Sequence, residues 1–127
     1  MSIRIPDGVE YFDSDAFNYC TSLSDIRGSS QQVSNIALTC HSSNEMYIII
    51  KSGTSIAKNA FNAYNGLRML KTITIPVSIE SIGSDAFRNC TGMTDIIYLG
   101  NGSQWNSITK GANWDYNTHY TLTCLGN

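Results

Sequence analysis

Charge is scarce in this chain. Only 14% of its 127 residues are Asp, Glu, Lys or Arg, against about 25% in an average soluble domain. Eight basic residues face ten acidic ones, a formal net charge of −2. No basic field exists to draw nucleic acid or an anionic lipid surface. Histidine occurs twice and proline twice. Long apolar runs are missing as well. The longest strongly apolar stretch, 46–50, is far short of the ~18 residues of a membrane span and reads as a buried strand. The glycines form neither G-x-x-x-x-G-K nor G-x-G-x-x-G, so no phosphate cradle is expected. His41 and His119 lie near no G-x-S-x-G nucleophile and no zinc-ligand spacing. The expectation is a protein with no catalytic residues, no metal and no cofactor. Its polarity comes from Ser, Thr, Asn and Gly, which suit turns and short strands better than long helices.

The chain is written twice in part. Residues 75–96 read IPVSIESIGSDAFRNCTGMTDI, and residues 5–26 read IPDGVEYFDSDAFNYCTSLSDI. The copies share Ile, Pro, Glu, Ser-Asp-Ala-Phe, Cys-Thr and Asp-Ile in one gapless frame. Val9/Ile79, Phe12/Ile82 and Leu23/Met93 exchange one apolar residue for another. Apolar residues recur every three to five positions, too irregular for one helix and too wide for one strand. A unit that turns several times around a shared core explains that spacing, and a repeated unit means a stacked array. Pro6 and Gly8 place a turn after a first short strand. Ser-Asp ahead of Ala-Phe, with Cys three beyond Phe, reads as one capped helical turn. Asp13-Ser-Asp15 resembles a cation site, but the second copy has Gly83 in place of the first Asp, so a cap is the better reading.

Other parts fit the unit less well. Within 27–48 we read a degenerate coil: GSSQQ as a loop, Val33, Ile36, Leu38 and Cys40 as an exposed-face strand, and HSSNE as a second loop. Residues 55–61, SIAKNAF, match 81–87, SIGSDAF, with Asn59 in the place of the capping Asp85. The AYNG segment carries extra residues, implying a bulged turn in which Tyr64 or Leu67 replaces the missing Cys. After residue 99 the composition changes. Ser103 reads as the N-cap of a short helix holding Trp105 and Ile108, and an aromatic tail follows. An array needs an atypical end unit over its last coil, so the expected organisation is about four repeats over 1–99 and a C-terminal cap over 100–127. Of Cys20, Cys40, Cys90 and Cys124, Cys20 and Cys90 hold equivalent places and read as small core residues rather than bridge partners.

These units resemble the BspA-type leucine-rich repeat family. The resemblance is carried by Ile75-Pro76, Ile79, Ile82, Ala86-Phe87, Cys90, Met93 and Ile96, and again from Ile5-Pro6 through Ile26. It implies an α/β repeat solenoid, a right-handed leucine-rich-repeat coil with short parallel strands, short helical turns and a C-terminal cap. It also implies protein binding of the kind such bacterial and protozoan surface proteins perform, with some phage and mobile-element proteins looking similar.

Two surfaces are candidate binding sites. The first is the outward row of the strands: Ser24, Asp25 and Arg27, then Lys71, Thr72 and Thr74, then Thr94, Asp95 and Ile97. The second is the aromatic set Trp105, Trp114, Tyr116 and Tyr120, which exposed together would suit a sugar or a host surface. The leading expectation is a non-enzymatic protein-interaction module resembling adhesion proteins. The alternatives are a carbohydrate-binding or host-attachment module, and a small phage or mobile-element protein that inhibits a host factor. The stretch MSIRIPDG has no apolar signal core. That leaves a cytoplasmic protein, or a piece of a longer secreted protein. Nothing precedes the first coil as a cap, so the N-terminal edge either continues an array or forms a homodimer.

Overall fold

The computed structural model describes residues 2–6, 24–39, 45–63 and 69–127. Its elements in chain order are β1 (Ser2–Arg4), β2 (Asp25–Ser29), α1 (Ser30–Thr39), β3 (Met46–Ser52), β4 (Ser55–Ile56) and β5 (Leu70–Ile75). Then come β6 (Ser81–Ile82), β7 (Asp95–Tyr98), α2 (Gly102–Ser107), β8 (Thr109–Lys110) and β9 (Thr121–Cys124). The strands form two parallel sheets. One has the order β1-β2-β3-β5-β7-β9 and the other β4-β6-β8. Each pass of the chain adds its strand beside the preceding one, which is the α/β repeat coil expected above.

Period-two alternation explains why these residues are strands. Ile26, Ile48, Ile73 and Ile96 are paired neighbours across four strands, and each is at most 1% exposed. Ile56 and Ile82 pair likewise in the second sheet. Each such side chain, removed from water, contributes about 1.5–3 kcal/mol. Between the sheets run the turns that carry Ala60-Phe61 and Ala86-Phe87, all buried. The Phe61 and Phe87 rings stack with centroids 5.2 Å apart. Cys90 is buried, as its place in the repeat suggested, whereas Cys20 and Cys40 lie outside the described residues.

The Ser-Asp-Ala-Phe segments are turns rather than capped helical turns. Asn59, Asp85 and Asn113 each have φ near +60°, the left-handed region that Asn and Asp tolerate better than other side chains. They stand above one another: Asn59 N–H donates to Ser84 O, and Asp85 N–H donates to Ala112 O. Their side chains accept from neighbouring side chains, Asn59 from Asn62 at 3.2 Å and Asp85 from Arg88 at 3.2 Å. The residue type is set by backbone conformation, not by capping. The equivalent Ser14-Asp15, and the AYNG turn from residue 64 on, lie outside the described residues.

The stretch read as an exposed strand over 33–40 is the helix α1. Ser29 N–H donates to Gln32 Oε1 at 2.9 Å, and Gln32 N–H donates back to Ser29 Oγ at 3.1 Å. That is a reciprocal capping box. Val33 and Ile36, one turn apart, bury their side chains at 0% and 1% exposure. GSSQQ is therefore the end of β2 and the first turn of α1. Ser103 does not cap α2 either. Asn101 does, accepting from Gln104 N–H at 2.9 Å while Gln104 Oε1 accepts from Asn101 N–H at 2.8 Å.

The tail continues both sheets through β8 and β9, but its core positions change character. Ile56 and Ile82 are followed in register by Lys110. Phe61 N–H donates to Ala86 O, and Phe87 N–H donates to Trp114 O, so Trp114 takes the place of the small Ala. Its ring meets Phe87 at 6.1 Å and 81°. Lys110 Nζ donates to Trp105 O at 2.8 Å and to Ile108 O at 3.2 Å, and it sits 4.7 Å from the centre of the Trp105 ring. An amphipathic lysine and a wide indole thus stand where the preceding passes have isoleucine and alanine.

Candidate functional site

The outward side chains of the six-stranded sheet form two rows. Ser2, Asp25, Tyr47, Thr72, Asp95 and Thr121 are paired in sequence across the strands, and so are Arg4, Arg27, Ile49, Thr74, Ile97 and Thr123. Neighbouring strands lie about 4.8 Å apart, so Ile49 and Ile97, separated by Thr74, are about 10 Å from one another. Tyr47 is 40% exposed, the largest side chain on this face.

Six of the nine residues expected on the strand face lie in these rows: Asp25, Arg27, Thr72, Thr74, Asp95 and Ile97. The other three, Ser24, Lys71 and Thr94, lie at the strand beginnings. Thr94 Oγ1 donates to Asp95 Oδ2 at 2.8 Å, and Ser24 Oγ donates to Asp25 Oδ2 at 3.3 Å, the same contact in two coils. Lys71 stands where the ladder shifts, since Met46 pairs Leu70 but Tyr47 pairs Thr72. It reaches Glu45 at 3.9 Å. Glu45 also accepts from the Tyr47 hydroxyl at 3.1 Å, and that bond raises the tyrosine's pKa.

Sequence reasoning missed Tyr47 and Ile49, because 46–50 looked like one buried apolar run. The alternation was present: Met46, Ile48 and Ile50 are inside, while Tyr47 and Ile49 are on the other face. Thr121 and Thr123 were missed because the tail was read only as a cover.

The four tail aromatics do not form one exposed set. Trp105 is 6% exposed and packs edge-on to Tyr98 at 5.3 Å. Trp114 touches Trp105 at 5.9 Å and Tyr120 at 6.0 Å, with both Trp114 and Tyr120 half-buried against the core. The Tyr120 hydroxyl donates to Asp115 at 2.9 Å, and burial, reinforced by that carboxylate, pushes its pKa up. Only Tyr116 holds its ring largely in solvent, at 53% exposure, with the Arg88 guanidinium 4.7 Å above it. The rings pack on one another and on Phe87 and Tyr98 instead of facing solvent together.

Among the described residues no three His, Cys, Asp or Glu side chains gather where a metal ion could be held. No helix among them is long and apolar enough to cross a membrane.

Stacked parallel strands, a file of isoleucines inside and an open row of side chains outside define a leucine-rich-repeat protein. The chain belongs to the BspA type leucine rich repeat region family, whose model matches residues 1–112 in six copies. No curated protein and no solved structure matched the chain. The family is one of repeat modules for protein interaction and is typically non-enzymatic.

Proposed function

We propose that this protein is a non-enzymatic binding module that docks a protein partner on the outward face of the six-stranded sheet, in the manner of an adhesion-type contact. The observation that carries this reading is the composition of the two rows. Their centre is apolar or neutral, with Tyr47, Ile49, Thr74 and Ile97. Charge lies toward one end, with Arg4, Asp25 and Arg27, and at Asp95 nearer the other. An apolar centre with a polar margin is what a protein interface displays, and tyrosine is prominent among its energetic anchors. The burial of Trp105 weighs against the tail aromatics as a sugar platform.

The test places a photo-reactive amino acid at Tyr47 or Ile97, and at Gln104 on α2 as a control. Partners cross-linked in extracts are identified by mass spectrometry, and the purified partner is then titrated against Thr74→Arg and Ile97→Lys. Cross-linking confined to the face, with a loss of binding of about 100-fold in these variants (about 2.7 kcal/mol), is the expected result. A partner that cross-links equally through Gln104, or still binds both variants, would overturn the reading.

A further inference from the structure

The charges on the outward face of the six-stranded sheet are unevenly matched. Arg4 of β1 and Arg27 of β2 are paired neighbours, and both side chains are exposed. Neighbouring strands lie about 4.8 Å apart, and like charges directly opposite one another on a sheet are destabilising. Lys51 of β3 stands near them. It follows Ile49 by two residues on the same face and is exposed. It lies where the ladder skips a residue, since Gly28 pairs Ile50 but Ser29 pairs Ser52. A bulge of this kind re-aims the side chain it carries.

None of these three cations has an ion-pair or hydrogen-bond partner for its side chain among the described residues. By contrast, Lys71 reaches Glu45, Arg88 reaches Asp85, and Lys110 donates to two backbone carbonyls. The carboxylate at this end of the face is Asp25, which already accepts from the Ser24 hydroxyl. Positive charge therefore gathers here in a chain whose net charge is −2. Such a local excess draws an acidic group on a partner.

Beside the cations the face turns apolar. Arg27 is followed in its row by Ile49, Thr74 and Ile97, and Ile49 and Ile97 are half-buried. From Arg27 to Ile97 is three strand spacings, about 14 Å, which an extended chain spans in about four residues.

We propose that the partner segment seated on this face is acidic at one end and apolar at the other. It is an extended stretch of protein whose carboxylates lie over Arg4, Arg27 and Lys51, with a large apolar side chain about four residues away on Ile49 and Ile97. The planar fork of arginine takes a carboxylate through two parallel hydrogen bonds, and such a pairing relieves the repulsion between Arg4 and Arg27. This inference rests on the strand-face reading and adds to it the chemistry of the partner.

The test pans a display library of random short peptides on the full chain, on Thr74→Arg, and on the double variant Arg4→Glu with Arg27→Glu. Each variant is first checked for native circular dichroism and melting. Peptides enriched on the parent should carry Asp or Glu at one end and a large apolar residue about four positions away. Thr74→Arg should lose them, and the double variant should select Lys and Arg instead. For a synthetic peptide of the enriched sequence, followed by fluorescence polarisation, Lys51→Met should weaken binding severalfold, and about 0.5 M salt should weaken it about tenfold. Enriched peptides without an acidic excess, or the same peptides on the double variant, would overturn the proposal. If Thr74→Arg still abolishes their binding, the strand-face reading stands without it. No enrichment over bare beads also overturns the proposal, while the cross-linking at Tyr47 and Ile97 decides the face separately.

Discussion

The Cys90 thiol donates to the Phe61 carbonyl across 3.0 Å, joining two successive coils through a side chain. The contact needs the protonated thiol, and burial favours the same state, pushing the Cys90 pKa up to about 12. Thiolate is the reactive form of cysteine. Alkylation by iodoacetamide at pH 8, read by mass spectrometry, should therefore modify half-buried Cys124 readily and Cys90 only in denaturant. Native labelling of Cys90 at the rate of Cys124 would show that the coils part at this point.

The same shift sets a pH window. The folded-state pKa stands above the ordinary value of 9.0, so the stabilisation is complete below about 9 and is lost as pH rises toward 12. Tyr120, raised by burial and by Asp115, acts in the same direction at high pH. Thermal unfolding followed from pH 8 to 11.5 should show a falling melting temperature, and the fall should be shallower in Cys90→Ala than in the parent. Parallel curves would mean that Cys90 does not control alkaline stability.

Gly83 and Gly102 should differ in their tolerance of alanine. A β-carbon on Gly83 would come 2.4 Å from the Lys58 nitrogen in the coil beneath, and one on Gly111 would come 2.4 Å from Ser84 N. These are backbone contacts that no rotamer relieves. Gly83→Ala should lower the unfolding free energy by about 2–3 kcal/mol. Gly102 in α2 has nothing within 4 Å, so Gly102→Ala should stay within about 0.5 kcal/mol of the parent. Urea unfolding of the two variants checks both values.

The two capping boxes differ in depth. Gln104 is exposed, whereas Gln32 is 4% exposed and also donates from Nε2 to Pro6 O at 3.1 Å. Asn101→Ala should cost about 1 kcal/mol. Together with Gln104→Ala it should show a coupling of about 0.5 kcal/mol in a double-mutant cycle. Gln32→Ala should cost more than Gln104→Ala, because the Gln32 side chain is buried and its bond to Pro6 O is lost as well. Equal costs would mean that the bond to Pro6 contributes nothing.

The packing of the tail on Phe87 should depend on Trp114. Trp114→Ala uncovers Phe87 and should cost about 2–3 kcal/mol. Tyr116→Ala removes only an exposed ring and its contact with Arg88, and should cost about 0.5 kcal/mol. Chemical denaturation of each variant measures the difference. Binding of a hydrophobic dye should rise in the first variant only.

Much of the coil was legible because it is local and periodic. Ile at every second strand position and Ala-Phe after Ser-Asp are the same in each copy, so one copy explained the next. The helix α1 was legible too, in Ser29-x-x-Gln32 ahead of Val33 and Ile36. It was overlooked because the surrounding polar residues suggested a loop. The left-handed turns were harder to read. Asp and Asn favour both a helix cap and φ near +60°, and sequence does not separate the two.

The chain's own pattern determined a repeat built on parallel strands with isoleucine and Cys90 inside, since burial at fixed spacing is a local property of residue type. Only the tertiary structure decided what those residues meet. It placed Tyr47 and Ile49 in the outward rows, set Lys110 beside Ile82 and Trp114 against Phe87, and brought Ser30 next to Gly53. Those relationships depend on the register between passes some 22 to 28 residues apart, and no short pattern within one pass encodes the register with the next.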